Sequence, residues 1–126
     1  MQNLNLIKNK VNEIIEKKQL KTIPKIIAVT KTHSLSIFAP LLDIGHIHFG
    51  ENKIQEAEKK WTNVKKNYKG VRLHMVGSLQ TNKVKKAINL FDYIHSLDNE
   101  KLAKKISDEQ KNKKWNPKIF IQVNIG

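Results

Sequence analysis

Five short apolar runs of strand character alternate along this chain with amphipathic stretches of helical period, and that alternation restricts the fold more than any other feature. Asn3 to Leu20 carries Leu6, Ile7, Val11, Ile14 and Ile15 at helical spacing among lysines and glutamates, which predicts a helix. After Pro24, residues 25–30 read as a buried strand. Ser34 is placed to cap a helix through Ile37, Phe38, Leu41 and Leu42, and Gly45 to end it. Pro40 removes a hydrogen bond inside that helix and predicts a kink. A short strand is expected at His46–Phe49.

From Asn52 to about Asn67 the residues Ile54, Ala57, Trp61 and Val64 recur on one helical face, and Gly70 closes the segment. Val71–Val76 is the third predicted strand, and Thr81 caps a helix through Val84, Ala87 and Ile88. Asp92–His95 is the fourth strand, and Asp98 or Asn99 caps a lysine-rich helix through Leu102, Ala103 and Ile106. Trp115-Asn116-Pro117 turns into Lys118–Ile125, expected to be the longest and most apolar strand.

One helix, four βα units and a fifth strand imply an α/β protein with a parallel sheet and outer helices. Two arrangements satisfy that order: a doubly wound open sheet, or a (β/α)8 TIM barrel whose carboxyl-terminal strands are missing. A doubly wound sheet normally covers its last strand with a helix. Here Gly126 follows Asn124-Ile125 at once, so the ending reads as an interruption, with an uncovered edge open to self-association. The expectation is a single, truncated barrel domain over residues 1–126.

Composition narrows the function. No cysteine is present, so disulfides and thiolate metal sites are excluded. A Lys or Glu every few residues in the first 22 positions rules out a signal-peptide core, and no apolar run is long enough to span a bilayer. A cytoplasmic protein without a membrane partner is expected. The net charge of +13 invites a nucleic-acid reading. Against it, only Arg72 of the 24 basic residues is arginine, and the lysines are spread over several helices without interleaved aromatics. No specific nucleic-acid partner is expected.

In parallel α/β folds the ligand sits beyond the carboxyl ends of the strands. Those positions hold Lys31 and Thr32, then Gly50-Glu51-Asn52, then Gly77, Ser78, Gln80, Thr81 and Asn82, then Ser96 and Asp98, and last Asn124. A lysine directly after a buried strand points into a crowded pocket. Desolvation and neighbouring cations there favour the neutral, nucleophilic amine that a Schiff-base lysine needs. A lysine that merely snorkels from a strand end fits the same residues. Gly50 can let the backbone pass close to a ligand, with Asn52 capping the next helix, and Gly77-Ser78 leads toward a helix start where an anion can bind. There is no nucleotide-binding glycine loop and no nucleophile elbow. The five histidines lack metal-ligand spacing, although His46 and His48 lie two apart on a strand.

Five segments in order carry a resemblance: Ala28-Val29-Thr30-Lys31-Thr32; Phe49-Gly50-Glu51-Asn52-Lys53 with Gln55-Glu56; His74 through Lys83; His95-Ser96-Leu97-Asp98; and Gln122-Val123-Asn124. Together they resemble the pyridoxal phosphate homeostasis proteins (the YggS/PROSC family), whose fold is like the N-terminal barrel of alanine racemase. The resemblance covers the amino-terminal half of such proteins. It implies pyridoxal 5'-phosphate as cofactor, held as a Schiff base on Lys31, with Asn52 beside it and Gly77, Gln80, Asn82 and Lys83 in the third-strand motif. It implies a role in intracellular cofactor homeostasis without catalytic turnover. An alanine-racemase-like enzyme using the same lysine, or a truncated remnant without function, are the alternatives. The family's late glycine- and serine-rich phosphate-binding segments have no counterpart here, so weak cofactor binding and marginal stability are expected.

Overall fold

The computed structural model describes residues 2–111, 113 and 116–125. Trp115 of the expected turn, and Gly126, lie outside them. Helix α1 spans Gln2–Lys18, and four strand–helix units follow: β1 Ala28–Val29 and α2 Leu35–Asp43, β2 His48–Glu51 and α3 Ile54–Asn67, β3 Arg72–Met75 and α4 Val84–Leu90, β4 Tyr93–Leu97 and α5 Glu100–Gln110. Strand β5, Lys118–Ile121, ends the series.

The sheet order is β1-β2-β3-β4-β5, with every pair parallel. A doubly wound sheet reverses direction at a switch point; this one adds each new strand beside the last, as a (β/α)8 barrel does. The chain is thus five strands of such a barrel with helices outside. Its core lies between sheet and helices: Phe49, Leu73, Met75 and Ile94 from the strands meet Trp61 of α3 and Ile88 of α4, all at most 1% exposed. Alternation along the strands turns His48, Gly50, His74, Tyr93, His95 and Phe120 toward the other, concave face.

The boundaries differ from expectation where local chemistry outweighs the hydrophobic pattern. At the end of α2 the His46 N–H bonds to Leu41 O and the Gly45 N–H to Leu42 O, a Schellman closure with Gly45 at φ +88°. That closure consumes His46, so β2 begins at His48 rather than His46 and takes in Gly50 and Glu51, beyond the expected end at Phe49. Pro40 sits inside α2. The carbonyl it leaves unpaired is that of Ser36, an exposed first-turn residue that water can satisfy. Strand β1 is shorter than residues 25–30 and is not fully buried: it is an edge strand paired on one side, and Val29 is 46% exposed. Strand β5 stops at Ile121, where its ladder with Leu97 ends, and the five-residue β4 is longer.

Asn99 caps α5, its Oδ1 accepting the Leu102 N–H at 2.8 Å. Asn52 does not cap α3; Lys53 holds that position without a side-chain bond. Thr81 does not cap α4 but opens a 3-10 turn, Thr81–Lys83, that leads into it. Ser34 is at the start of α2, yet its hydroxyl pairs with Ser36 Oγ rather than with the helix backbone.

Candidate functional site

The carboxyl ends of β1, β2 and β3 bring three loops to one rim. Lys31 leaves β1 between Thr30, which is buried, and Thr32, whose φ of 64° is left-handed. Lys31 itself is exposed. Among the described residues no crowded pocket surrounds it, since β1 stands at the edge of the sheet and pairs with β2 alone. Below it on the concave face the surface is apolar, and a Cβ on Gly50 would lie 3.1 Å from Ile27 Cγ2 and 3.4 Å from Val76 Cγ1.

The loop after β3 is pressed against the loop after β2. A Cβ on Gly77 would stand 2.8 Å from Asn52 Cα and 2.7 Å from Asn52 Cβ, so glycine is needed here for approach rather than for its dihedral angles. Asn52, Ser78 and Gln80 line a cleft of about 540 Å³ with Lys53, Lys59 and Lys83. The structure thus brings together Asn52, the Gly77 loop and Gln80. Lys31 stands outside that cleft, joined to its wall through Glu56, which lines it and accepts the Thr32 N–H. Asn82 is separated from the others: it lines a second cleft with Thr81, Lys101, Lys104 and Lys105, toward α5.

Two networks, one at this rim and one on the concave face, are not apparent from the sequence. The first surrounds Glu51, a completely buried carboxylate. It accepts from Trp61 Nε1 at 3.0 Å, from Lys60 Nζ at 3.0 Å and from the Thr30 hydroxyl. Lys60 also donates to Thr30 O at 2.7 Å and pairs with Glu56 at 3.1 Å. The Thr32 N–H holds the Glu56 carboxyl below the usual carboxylate range; burial opposes it, and the Lys60 ammonium adds to the lowering. The spacing of Glu56 and Lys60, one helical turn apart, was the available signal.

The second is a line of imidazoles on the concave face. His48 Nδ1 meets His74 Nε2 at 3.0 Å, and His74 Nδ1 meets His95 Nε2 at 2.8 Å. The His74 ring stacks on Tyr93 at 4.2 Å, and His95 on Phe120 at 4.6 Å. His46 turns away from this line, its Nε2 against His48 O, so His46 and His48 do not converge on a common ion. Among the described residues no group of three or more His, Cys, Asp or Glu side chains is arranged to hold a metal.

Burial holds His74 well below its ordinary value, down to about 3, with repulsion from His95, His48 and Lys25 adding to it. Burial lowers His48 and His95 as well. An unfolded chain takes up these protons near pH 6.5, so between pH 6.5 and about 3 it binds more protons than the folded state. Stability is therefore complete above pH 6.5 and falls as the pH drops through that window, by at most about 1.4 kcal/mol per pH unit for each such histidine. Urea titrations at pH 7, 6 and 5 should show a midpoint that declines with acid, and a shallower decline in His74→Asn. Equal midpoints at all three pH values in the unaltered chain would refute this account.

Comparison with known proteins places the arrangement. The sequence profile described as alanine racemase, N-terminal domain, matches residues 2–126. Pyridoxal phosphate homeostasis proteins of Haemophilus influenzae and Buchnera aphidicola are 31% and 33% identical to the chain, each match taking in 98% of it and 53% and 54% of the relative. Among solved structures, PipY of Synechococcus elongatus without PLP superposes with a TM-score of 0.76 at 32% identity, covering 91% of this chain and 54% of PipY. The form of PipY with PLP bound gives 0.75 at 31% identity. The chain spans about half the length of the curated relatives it matches. Profile, sequence relatives and sheet order agree, and the chain belongs to the alanine racemase N-terminal domain family, in which the relatives named here are pyridoxal phosphate homeostasis proteins.

Proposed function

We propose that this chain binds pyridoxal 5'-phosphate in the service of intracellular cofactor homeostasis, holding it as a Schiff base on Lys31 without catalytic turnover. The observation that carries the reading is the shared rim. The lysine after β1 and a polar, lysine-lined cleft after β2 and β3 stand side by side at the strand ends, where this fold binds its ligands. The likeness to PipY, one form of which has PLP bound, supports the choice of cofactor.

The residues present fit that cofactor. It supplies an aldehyde that condenses reversibly with a primary amine and passes to another amine by exchange. Lys31 offers an exposed amine at the end of β1. Asn52 and Gln80 offer side-chain amides for polar ring substituents, and Lys53, Lys59 and Lys83 supply positive charge that suits a phosphate group. Gly77 serves by admitting the Asn52 backbone. Asn82 stays in the proposed set on the resemblance alone.

Residues 1–126 act as one cofactor-binding unit in the cytoplasm, with no specific nucleic-acid or membrane partner. The unit associates with itself through its open sheet edges. Strands β1 and β5 each pair on one side only, and Phe120 and Ile121 of β5 are 49% and 74% exposed.

An absorbance titration with pyridoxal phosphate, run beside Lys31→Ala, tests the reading. A red-shifted Schiff-base band is expected for the unaltered chain, with borohydride fixing the added mass on the Lys31 peptide, and no band for the variant. An equal band in both proteins would remove Lys31 from its role. The same preparation on a sizing column should elute ahead of a monomer.

A further inference from the structure

Lys31 Cα is attached to two peptide groups, and α3 holds both of them. The first peptide begins with the Thr30 carbonyl, which accepts from Lys60 Nζ at 2.7 Å. The second ends in the Thr32 N–H, which donates to Glu56 Oε1 at 2.6 Å. Those two side chains lie one helical turn apart and pair with each other at 3.1 Å. Lys60 is anchored in turn on Glu51, whose side chain has no exposed surface and is fixed by Trp61 and Thr30. Lys60 Nζ also stands 5.6 Å from the centroid of the Phe38 ring, so the same ammonium reaches the helix that follows the Lys31 loop.

From this geometry we infer that Glu51, Glu56 and Lys60 are positioning residues for Lys31: they form a clasp that fixes its main chain and leaves its side chain free. The inference rests on Lys31 being the cofactor lysine. Stability alone is a poor reason for such a cluster, because a buried ion pair about breaks even against well-packed apolar residues. Precise placement of one backbone segment is a better one. Thr32 is in the left-handed region, which disfavours a β-branched residue, and its N–H is bonded directly to the Glu56 carboxylate. An amine on a fixed main chain loses less freedom when it captures a ligand than one on a mobile loop, and binds more tightly for that reason.

The clasp separates main-chain order from amine chemistry, and so does its test. Glu56 is 29% exposed, so Glu56→Ala should fold normally while losing the Thr32 acceptor. Amide hydrogen exchange at Thr32, measured without any cofactor, is expected to quicken at least tenfold, with little change in unfolding midpoint. Pyridoxal phosphate should bind at least tenfold more weakly, by absorbance titration. Lys60→Met should do the same at the Thr30 end, and Lys60→Arg should recover part of the affinity. Unchanged Thr32 exchange and unchanged affinity in Glu56→Ala would overturn the clasp, whatever the fate of the Lys60 variants. If Lys31→Ala leaves the absorbance band intact, the assignment of the cofactor lysine fails instead. The exchange result then still reports whether the three side chains order the loop.

Discussion

Replacing Gly77 by alanine is expected to destabilise the chain by about 3 kcal/mol and to weaken cofactor binding by more than tenfold. The added methyl has nowhere to go. Its nearest neighbours are the Cα, Cβ and carbonyl oxygen of Asn52, and main-chain atoms cannot swing aside as the tip of a flexible side chain can. Relief requires the loops after β2 and β3 to part, and that separation opens the wall of the cleft in which Asn52 and Gln80 meet. Gly45→Ala is the instructive control. At Gly45 φ is +88° and an added Cβ meets nothing within 4 Å, so only the cost of the left-handed conformation applies, about 1 kcal/mol. Urea unfolding of the two variants, with absorbance titrations of each, should show both effects for Gly77→Ala and only the smaller loss of stability for Gly45→Ala. Equal behaviour would mean that the approach of the two loops has no bearing on the cleft.

Trp61→Ala should be the most damaging single truncation, costing at least 4 kcal/mol and leaving little cooperative unfolding to measure. Trp61 has no exposed surface; it stacks on Phe38 at 5.0 Å and tilts against Phe49 at the same distance. Its removal opens a cavity between α2, α3 and β2, and also strips a donor from the buried Glu51 carboxylate. Trp61→Phe keeps most of the volume and loses only the donor, so a cost of about 2 kcal/mol is expected for it. Circular dichroism followed through a urea titration separates the two variants. A Phe variant as unstable as the Ala variant would show that the Glu51 bond, not the packing, carries the energy.

How far the sequence discloses this molecule depends on which interaction sets each feature. The number, type and order of the elements follow from hydrophobic period, which is local, and the five strands stand where the apolar runs are. The exact limits of β1 and β5 follow from partners far along the chain, and the start of β2 from a closure at the end of the preceding helix. His46 is apolar-flanked and strand-like, yet the Schellman closure at Gly45 takes its N–H. Residues 25–27 are just as strand-like and find no ladder. Gly77 and Gln80 were legible as one group because a loop keeps its residues close in sequence as well as in space, and Asn52 joins them because it follows β2, the strand next to β3. Asn82 was read into the same group on that logic. The 3-10 turn separates it, since a tight turn points neighbouring residues to different sides.

Glu51 shows the opposite limit. A glutamate between glycine and asparagine reads as a loop residue, and its complete burial follows only from three donors contributed by Thr30, Lys60 and Trp61. The exposure of Lys31 was equally illegible, because a strand's sequence does not say whether it will be an edge. The line of three imidazoles was invisible for a related reason. His48, His74 and His95 are 26 and 21 residues apart and meet only through the parallel register of β2, β3 and β4.

That line has a directional property. A neutral imidazole carries one N–H, so each N···N contact needs a donor on one side and a bare lone pair on the other. Should His48 donate from Nδ1 to His74, then His74 must donate from Nδ1 to His95, whose own hydrogen is left on Nδ1. The reverse choice inverts every ring and leaves the hydrogen of His48 on Nε2. The three tautomers are therefore one variable with two settings, and a ligand atom that fixes the hydrogen at either end dictates what the opposite end, two strands away, presents to its surroundings.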